Sequence, residues 1–170
     1  MKGTRILGTT KPRGVWENAY IIGTPKPGTM MELVPATEPV GNVFSYAPYG
    51  TQAASGGQFV SADGDKKVIA VLMEKDDEGK TFDDAYVSGD IGRIYFPLPG
   101  ERLNMLFQNQ AGTSDVFAIG DEMMADDSTG KLIAAGADVE AHPFTCLETV
   151  AAALTADAHE WCRCNGEGGA

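Results

Sequence analysis

The chain lacks an apolar run anywhere near the ~20 residues of a membrane span, which argues against a spanning helix. Met1-Lys2 is followed by no apolar signal core, so synthesis without a secretory leader is expected. Cysteine is scarce: three in 170 residues, too few and too clustered for a disulfide framework, so a reducing site of synthesis is the default. There are only two histidines, His142 and His159, and neither has a nucleophile in a recognisable frame. A Gly-x-Ser-x-Gly elbow, a phosphate loop and a Rossmann glycine pattern are all missing. These gaps make enzyme the weaker class.

Positive charge is also scarce. Lysine and arginine number 13 against 24 acidic residues, a net charge of −11. The imbalance is uneven. Residues 1–31 carry five basic residues (Lys2, Arg5, Lys11, Arg13 and Lys26) against Glu17 alone, or +4, which leaves eight against 23, or −15, in the remainder. An acidic body repels nucleic acid and anionic membrane, so neither is expected as a partner. A basic segment on an acidic body suits docking on something acidic, or simply keeps a tail solvated.

What is abundant is turn material. Twenty-one glycines and nine prolines favour many turns over long helices, and 43% hydrophobic content is ordinary for a folded domain. The length allows one good core or two small ones. Residues 1–28 show no helical or strand period, yet Trp16, Tyr20, Ile21 and Ile22 are not the composition of disorder and should pack on the body or a neighbour. Strands are expected over Met30–Val34, Asn42–Tyr46, Lys66–Glu74, Phe82–Val87 and Asp90–Pro97. In the last of these, Ile91, Arg93 and Tyr95 share one face, with Gly92, Ile94 and Phe96 on the other. Gln58–Ala62 and the strand after it flank Asp63-Gly64-Asp65, a hairpin signal. Glu101–Gln108 reads as strand or irregular, and Val150–Leu154 as a helical turn.

The second half has a clearer grammar. Gly120-Asp121 opens a turn, Glu122–Ala125 is a strand, Asp126–Gly130 a hairpin loop and Lys131–Ala135 the return. Pro143–Glu148 and Glu160–Cys164 follow as two more strands, the four together making one small antiparallel sheet. The first half states this pattern more loosely. Pro27-Gly28 precedes Met30–Val34, Val68–Glu74 matches Pro143–Glu148 as an apolar run ending in Glu, and Gly89–Phe96 matches the closing strand. One reading is an internal duplication of residues 30–100 and 117–165. The other is that any all-β chain repeats turn, strand, turn.

Three sets of side chains carry candidate chemistry. Cys162-x-Cys164 with Cys146, His142 and His159 would suit a zinc module, but Cys-x-Cys is a poorer knuckle than Cys-x₂-Cys and free cysteines favour burial. The carboxylates at Asp63/Asp65, Asp76–Glu78, Asp83/Asp84 and Asp126/Asp127 would suit calcium, yet none follows an EF-hand spacing, and solvated turns explain them better. Glu74 and Glu148 end apolar strands at matching points and would suit an acid–base pair, though a carboxylate there usually meets water. Neither a cofactor nor a metal is therefore assigned.

Gly120-Asp-Glu-Met-Met, Asp127-Ser-Thr-Gly-Lys-Leu, His142-Pro-Phe-Thr-Cys-Leu-Glu148 and Trp161-Cys-Arg-Cys164 together resemble the C-terminal half of tailed-bacteriophage capsid decoration (cement, head-stabilising) proteins. The match covers Ala118–Gly166, with the first half looser; the longer N-terminal arm and the cysteines of the closing strands depart from that family. The resemblance implies a non-enzymatic virion structural protein, often a homotrimer, made in the host cytoplasm and bound outside an icosahedral shell. Its partner would be the major capsid protein, and its work the locking of neighbouring capsomers. The expected fold is all-β: a small antiparallel β-barrel or β-sandwich over residues 30–165, with an extended basic N-terminal arm over 1–29 and a flexible tail over 166–170. The expected capsid or subunit contacts are Lys2, Arg5, Lys11, Arg13, Trp16, Tyr20 and Ile22, with Trp16 as the anchor. The rival readings are the cysteine–histidine metal or enzyme module, and a host- or glycan-binding head appendage using Trp16, Tyr46 or Tyr49.

Overall fold

Alternation between an inward and an outward face sets nearly every element of this chain. The structure, a computed structural model, describes residues 14–34, 43–49, 69–75, 81–108, 117–126, 128–135, 144–149 and 157–165. Among them are ten strands: β1 Val15–Ile21, β2 Met30–Leu33, β3 Ser45–Pro48, β4 Ala70–Met73, β5 Ile91–Phe96, β6 Arg102–Phe107, β7 Glu122–Ala125, β8 Leu132–Ala134, β9 Phe144–Cys146 and β10 Ala158–Cys164. They close into two five-stranded barrels, in the orders β1-β3-β2-β4-β5 and β10-β6-β8-β7-β9. Pairing is antiparallel except for β1 with β3 and β6 with β8. The fold is all-β.

The two barrels repeat one another in register, not only in order. β1 and β5 pair Glu17 with Ile94 and Tyr20 with Ile91, while β6 and β10 pair Leu103 with Cys162 and Leu106 with His159. Leu33 opposes Tyr46 as Ala125 opposes Leu132. Met31 opposes Ala70 as Met123 opposes Phe144, and Leu72 opposes Ile94 as Cys146 opposes Cys162. A single alignment satisfies every pairing around both rings: Ile21 with Phe107, Met31 with Met123, Leu72 with Cys146, Ile94 with Cys162. Glu74 and Glu148 fall at the same point of that alignment, so the repeat accounts for their matching positions. The repeating unit begins with β1 in one half and β6 in the other, earlier in each half than residues 30 and 117.

Turn chemistry supports the repeat. Lys26-Pro27-Gly28-Thr29 and Ala118-Ile119-Gly120-Asp121 occupy equivalent places, each closed by a bond from the fourth residue's N–H to the first carbonyl. Gly28 and Gly120 both have left-handed backbones, at φ +87° and +96°, as the third position of a type II turn requires. Asp121 also accepts from Ala118 N at 2.7 Å. Val87–Asp90 and Leu98–Glu101 use the same device, with Asp90 and Glu101 accepting from the N–H that opens each turn. Gly89-Asp90, Gly100-Glu101 and Gly120-Asp121 are therefore turn closers.

One bond breaks the symmetry. In the first barrel Tyr20 N donates directly to Phe44 O at 2.8 Å, closing β1 on β3. In the second, the equivalent donor, Leu106 N, binds Gly28 O at 3.0 Å, and the equivalent acceptor, Gly130 O, takes Met30 N at 2.8 Å. Residues 28–30 thus lie as a strap between β6 and β8, two bonds replacing one. The strap is tied to its own barrel by Gly28 N to Leu72 O and by Tyr49 N to Met30 O.

Inner faces fill the first barrel with Ala19, Ile21, Met31, Tyr46, Leu72 and Ile94. The second is filled by Leu103, Met105, Phe107, Met123, Leu132 and Phe144 with all three cysteines, and this cluster runs on to Met30, Val71 and Tyr95 from the first barrel's outer face. Burial of each such large side chain contributes about 1.5–3 kcal/mol. The barrels share a continuous apolar seam.

Several expectations are corrected. The arm was expected to run through residue 29 without a strand, but Val15–Ile21 is β1, paired on both sides. Glu17 on the inward face disguised its alternation. One barrel or sandwich was expected over residues 30–165 and two barrels are present, and the four strands of the second half close with β6 instead of forming a sheet by themselves. Phe82–Val87 is a short turn followed by irregular chain, not strand, because Asp84 binds Thr81 N and Oγ1 locally. Asn42–Tyr46 is displaced to Ser45–Pro48. Glu101–Gln108 resolves as strand β6. The Asp63-Gly64-Asp65 hairpin, Val150–Leu154 and residues 166–170 lie outside the described residues.

His159 makes acid stability testable. It lies edge-on to Phe82, its ring centroid 5.3 Å away, and its Nε2 is 2.8 Å from Pro27 O. A carbonyl only accepts, so Nε2 carries the proton. Burial pulls the imidazole pKa below its ordinary value, outweighing the Pro27 bond and the charges of Asp83 and Asp157, while Lys26 acts in the same sense as burial. A depressed histidine pKa leaves the unfolded chain binding more protons at mildly acidic pH. This contribution is fully present above about pH 6.5 and is lost as pH falls through the folded value. Chemical denaturation across pH should show that loss, and His159→Gln, which keeps a donor for Pro27 O, should remove it.

Candidate interaction surface

Among the described residues, the outer face of the β1–β5 ladder carries an ordered, partly exposed surface. Outward positions alternate along both strands and fall opposite one another: Trp16 with Tyr95, Asn18 with Arg93, Tyr20 with Ile91. Trp16 is 41% exposed and Ile91 38%, with Tyr20 and Arg93 half-buried beside them. Trp16 is held in place from two sides. Its ring lies tilted on Tyr95 with centroids 4.7 Å apart, and the Arg93 guanidinium stands 5.7 Å from its centroid.

Tyr95 is the fixed floor of this platform. It is wholly buried at the seam, its hydroxyl donating to Glu101 Oε2 at 2.6 Å and accepting from Gly14 N at 3.0 Å. Burial first, then the bond to Glu101, pushes its phenol pKa far up, so it stays a neutral donor. The result is an indole whose angle is set before any partner arrives, which lowers the ordering cost of binding.

The expected contact residues divide in two. Trp16 and Tyr20 sit on this face, and Ile22 follows β1 half-buried, its N–H donating to Tyr46 O at 2.8 Å. Trp16 and Tyr20 are strand residues, and Ile22 lies one residue past the strand, so none of the three belongs to an unpaired arm. Lys2, Arg5, Lys11 and Arg13 lie outside the described residues. Arg93 and Ile91 were missed as members of the face, although the period of two in Ile91-x-Arg93-x-Tyr95 had placed them together.

The rival sites fare differently. Tyr46 is not an exposed aromatic. It is 3% exposed, faces the first barrel's interior and donates to the Glu17 carboxylate. That burial, and then Glu17, pushes its pKa far above the ordinary phenol range. Tyr49 is half-buried against the shared core. Cys146, Cys162 and Cys164 stand where the first barrel has Leu72, Ile94 and Phe96, all inward and buried. His159 turns to Pro27, and His142 lies outside the described residues. Among the described residues no group of three histidines, cysteines or carboxylates is placed to hold a metal.

Asp126 caps its own loop, accepting from Ser128 N at 3.0 Å and Ser128 Oγ at 2.6 Å. Burial works against its charge, but the bonds from Ser128 and Thr129 win and hold its pKa below the ordinary value. Asp84 is occupied likewise by Thr81. These carboxylates close turns. Compared with known proteins, the chain matches no family model and no curated sequence.

Proposed function

We propose that the protein is a virion structural protein that binds the outer surface of a phage capsid and stabilises contacts between capsomers. The observation that carries this reading is the preorganised Trp16–Arg93 platform on the β1–β5 face. Aromatic and arginine side chains dominate interface energetics, and here an exposed indole and a half-buried guanidinium lie side by side. The platform sits on the strand that leads directly from the basic N-terminal stretch, so charge and apolar contact share one side of the sequence. The barrel interiors, by contrast, are committed to packing. A cement protein works by burying complementary surface, which adds free energy to the assembled shell and none to the dissociated one.

The partners on this reading are the major capsid protein and further copies of the chain, as a homotrimer on the virion exterior. β5 is paired on both sides, by β1 and β4, so subunits would meet through faces and not by adding strands. Ile94 and Phe96 point inward, leaving Ile91, Arg93 and the buried Tyr95 as the outward residues of that strand. Equilibrium sedimentation distinguishes a trimer in solution from one that forms only on the shell.

The deciding experiment adds purified protein to bare capsids. Co-sedimentation with the shells and a raised disruption temperature are expected. Folded protein that neither sediments with shells nor shifts their disruption temperature at saturating concentration would reject the reading. Saturable sugar binding at Trp16 in the same assay series would point instead to host recognition.

A further inference from the structure

Cys146 and Cys162 are direct cross-strand partners between β9 and β10. Leu147 N donates to Trp161 O at 2.8 Å just beyond them, which marks the pair as the non-hydrogen-bonded kind. Opposed Cα atoms at such a pair lie about 4.5 Å apart, within the span a disulfide bridges. Both side chains point into the second barrel and both are fully buried as free thiols. Cys164 is differently placed. It opposes Phe144, and it follows Cys162 by two residues on one strand, about 6.5–7 Å along, at the edge of what a bridge spans.

We propose that Cys146 and Cys162 are a redox modification site, closing to an intramolecular disulfide when the protein meets an oxidised small-molecule disulfide such as oxidised glutathione. One protein thiolate attacks a sulfur of the small disulfide, breaking its S–S bond, forming a mixed disulfide and releasing one small thiolate. The second protein thiol loses its proton and attacks the protein-side sulfur of that mixed disulfide, releasing the second small thiol. Two protein thiols are oxidised and one small disulfide is reduced to two thiols.

Burial sets the pace. It raises the pKa of Cys146, whose Sγ donates to Glu148 O at 3.0 Å, and raises that of Cys162. Attack by either thiol therefore quickens with alkaline pH and with opening of the β9–β10 pairing. A chain reduced where it is made would lock its second barrel only after release into an oxidising medium. This inference stands whether or not the protein binds capsids.

The test incubates the native full chain in graded reduced and oxidised glutathione, at neutral and mildly alkaline pH. Expected are loss of two of three titratable thiols, a mass lower by about 2 Da, a peptide map joining Cys146 to Cys162, and a higher Tm that dithiothreitol reverses. Cys164→Ser, left with two thiols, should lose both and keep the other three results. Cys146→Ser should abolish the bridge, and Cys146→Val does the same service should the serine variant fail to fold. Three thiols persisting under conditions that oxidise a model dithiol, or a bridge that uses Cys164, overturns the proposal.

Discussion

Replacing Gly28 with alanine should remove about 3–5 kcal/mol of stability, while the same change at its repeat partner Gly120 should cost only about 1–2 kcal/mol. Both glycines have the same left-handed backbone, so both alanines pay the same conformational penalty. The difference is what surrounds them. A Cβ at Gly28 would lie 2.7 Å from Leu106 N and 3.1 Å from Met105 C, both backbone atoms that cannot turn aside. At Gly120 nothing lies within 4 Å. The clash at Gly28 falls on the Leu106 N to Gly28 O bond, one of the two that hold the strap in the second barrel. Pushing the strap away strands buried backbone groups, each worth about 1–3 kcal/mol.

For a chain of this size the loss corresponds to a fall in Tm of roughly 6–20 °C for Gly28→Ala, against a few degrees for Gly120→Ala. Gly130→Ala should side with Gly28, because its Cβ would lie 2.3 Å from Met30 O. Thermal or denaturant unfolding of the three variants measures this directly. Equal losses at Gly28 and Gly120 would show that residues 28–30 do not couple the barrels. A domain stable by about 5–15 kcal/mol has little room for the larger loss, so reduced yield of Gly28→Ala would accord with it.

The sequence showed most where side-chain period and turn residues agreed. β5 and β7 to β10 were legible because alternating apolar residues sat between Gly-Asp turns and a hairpin loop, signals that act within a few residues. β1 was not. Its inward positions are Glu17, Ala19 and Ile21, and a carboxylate on the core side breaks the expected alternation. Only the fold supplies the reason: Tyr46, from a strand far along the chain, meets Glu17 inside the barrel. The duplication was visible as a similarity of order, but its start was hidden, because β1 and β6 share few residue types despite sharing register. Glu17, Ala19 and Tyr20 correspond to Leu103, Met105 and Leu106 in the repeat. The strap at residues 28–30 left no local sign at all, since Pro27-Gly28 reads as an ordinary turn. Of the platform, Trp16 and Tyr20 were named but placed in an arm, and only closure of the barrel sets Arg93 beside them.

Trp16→Ala should separate binding from folding. On the proposed reading Trp16 is the anchor, and removing an anchor indole costs about 2–4 kcal/mol of association free energy, or roughly 30- to 700-fold in affinity for capsids. The free protein should lose far less. Trp16 is 41% exposed, and the main contact it gives up within its own chain is the tilted stack on Tyr95, worth about 0.5–1.5 kcal/mol. Tm should fall by a few degrees only. Arg93→Ala removes a cation–π contact of about 0.5–1 kcal/mol and should weaken binding more than that if the guanidinium also meets the shell. Changing Lys2, Arg5, Lys11 and Arg13 together to alanine should act differently, slowing association and flattening its salt dependence while leaving dissociation near its original rate. Binding isotherms and kinetics on intact shells at several salt concentrations, beside melting curves of each free variant, distinguish these outcomes. A Trp16→Ala protein that decorates shells with unchanged affinity would remove the platform from the interface, and a large fall in Tm would return the indole to the core.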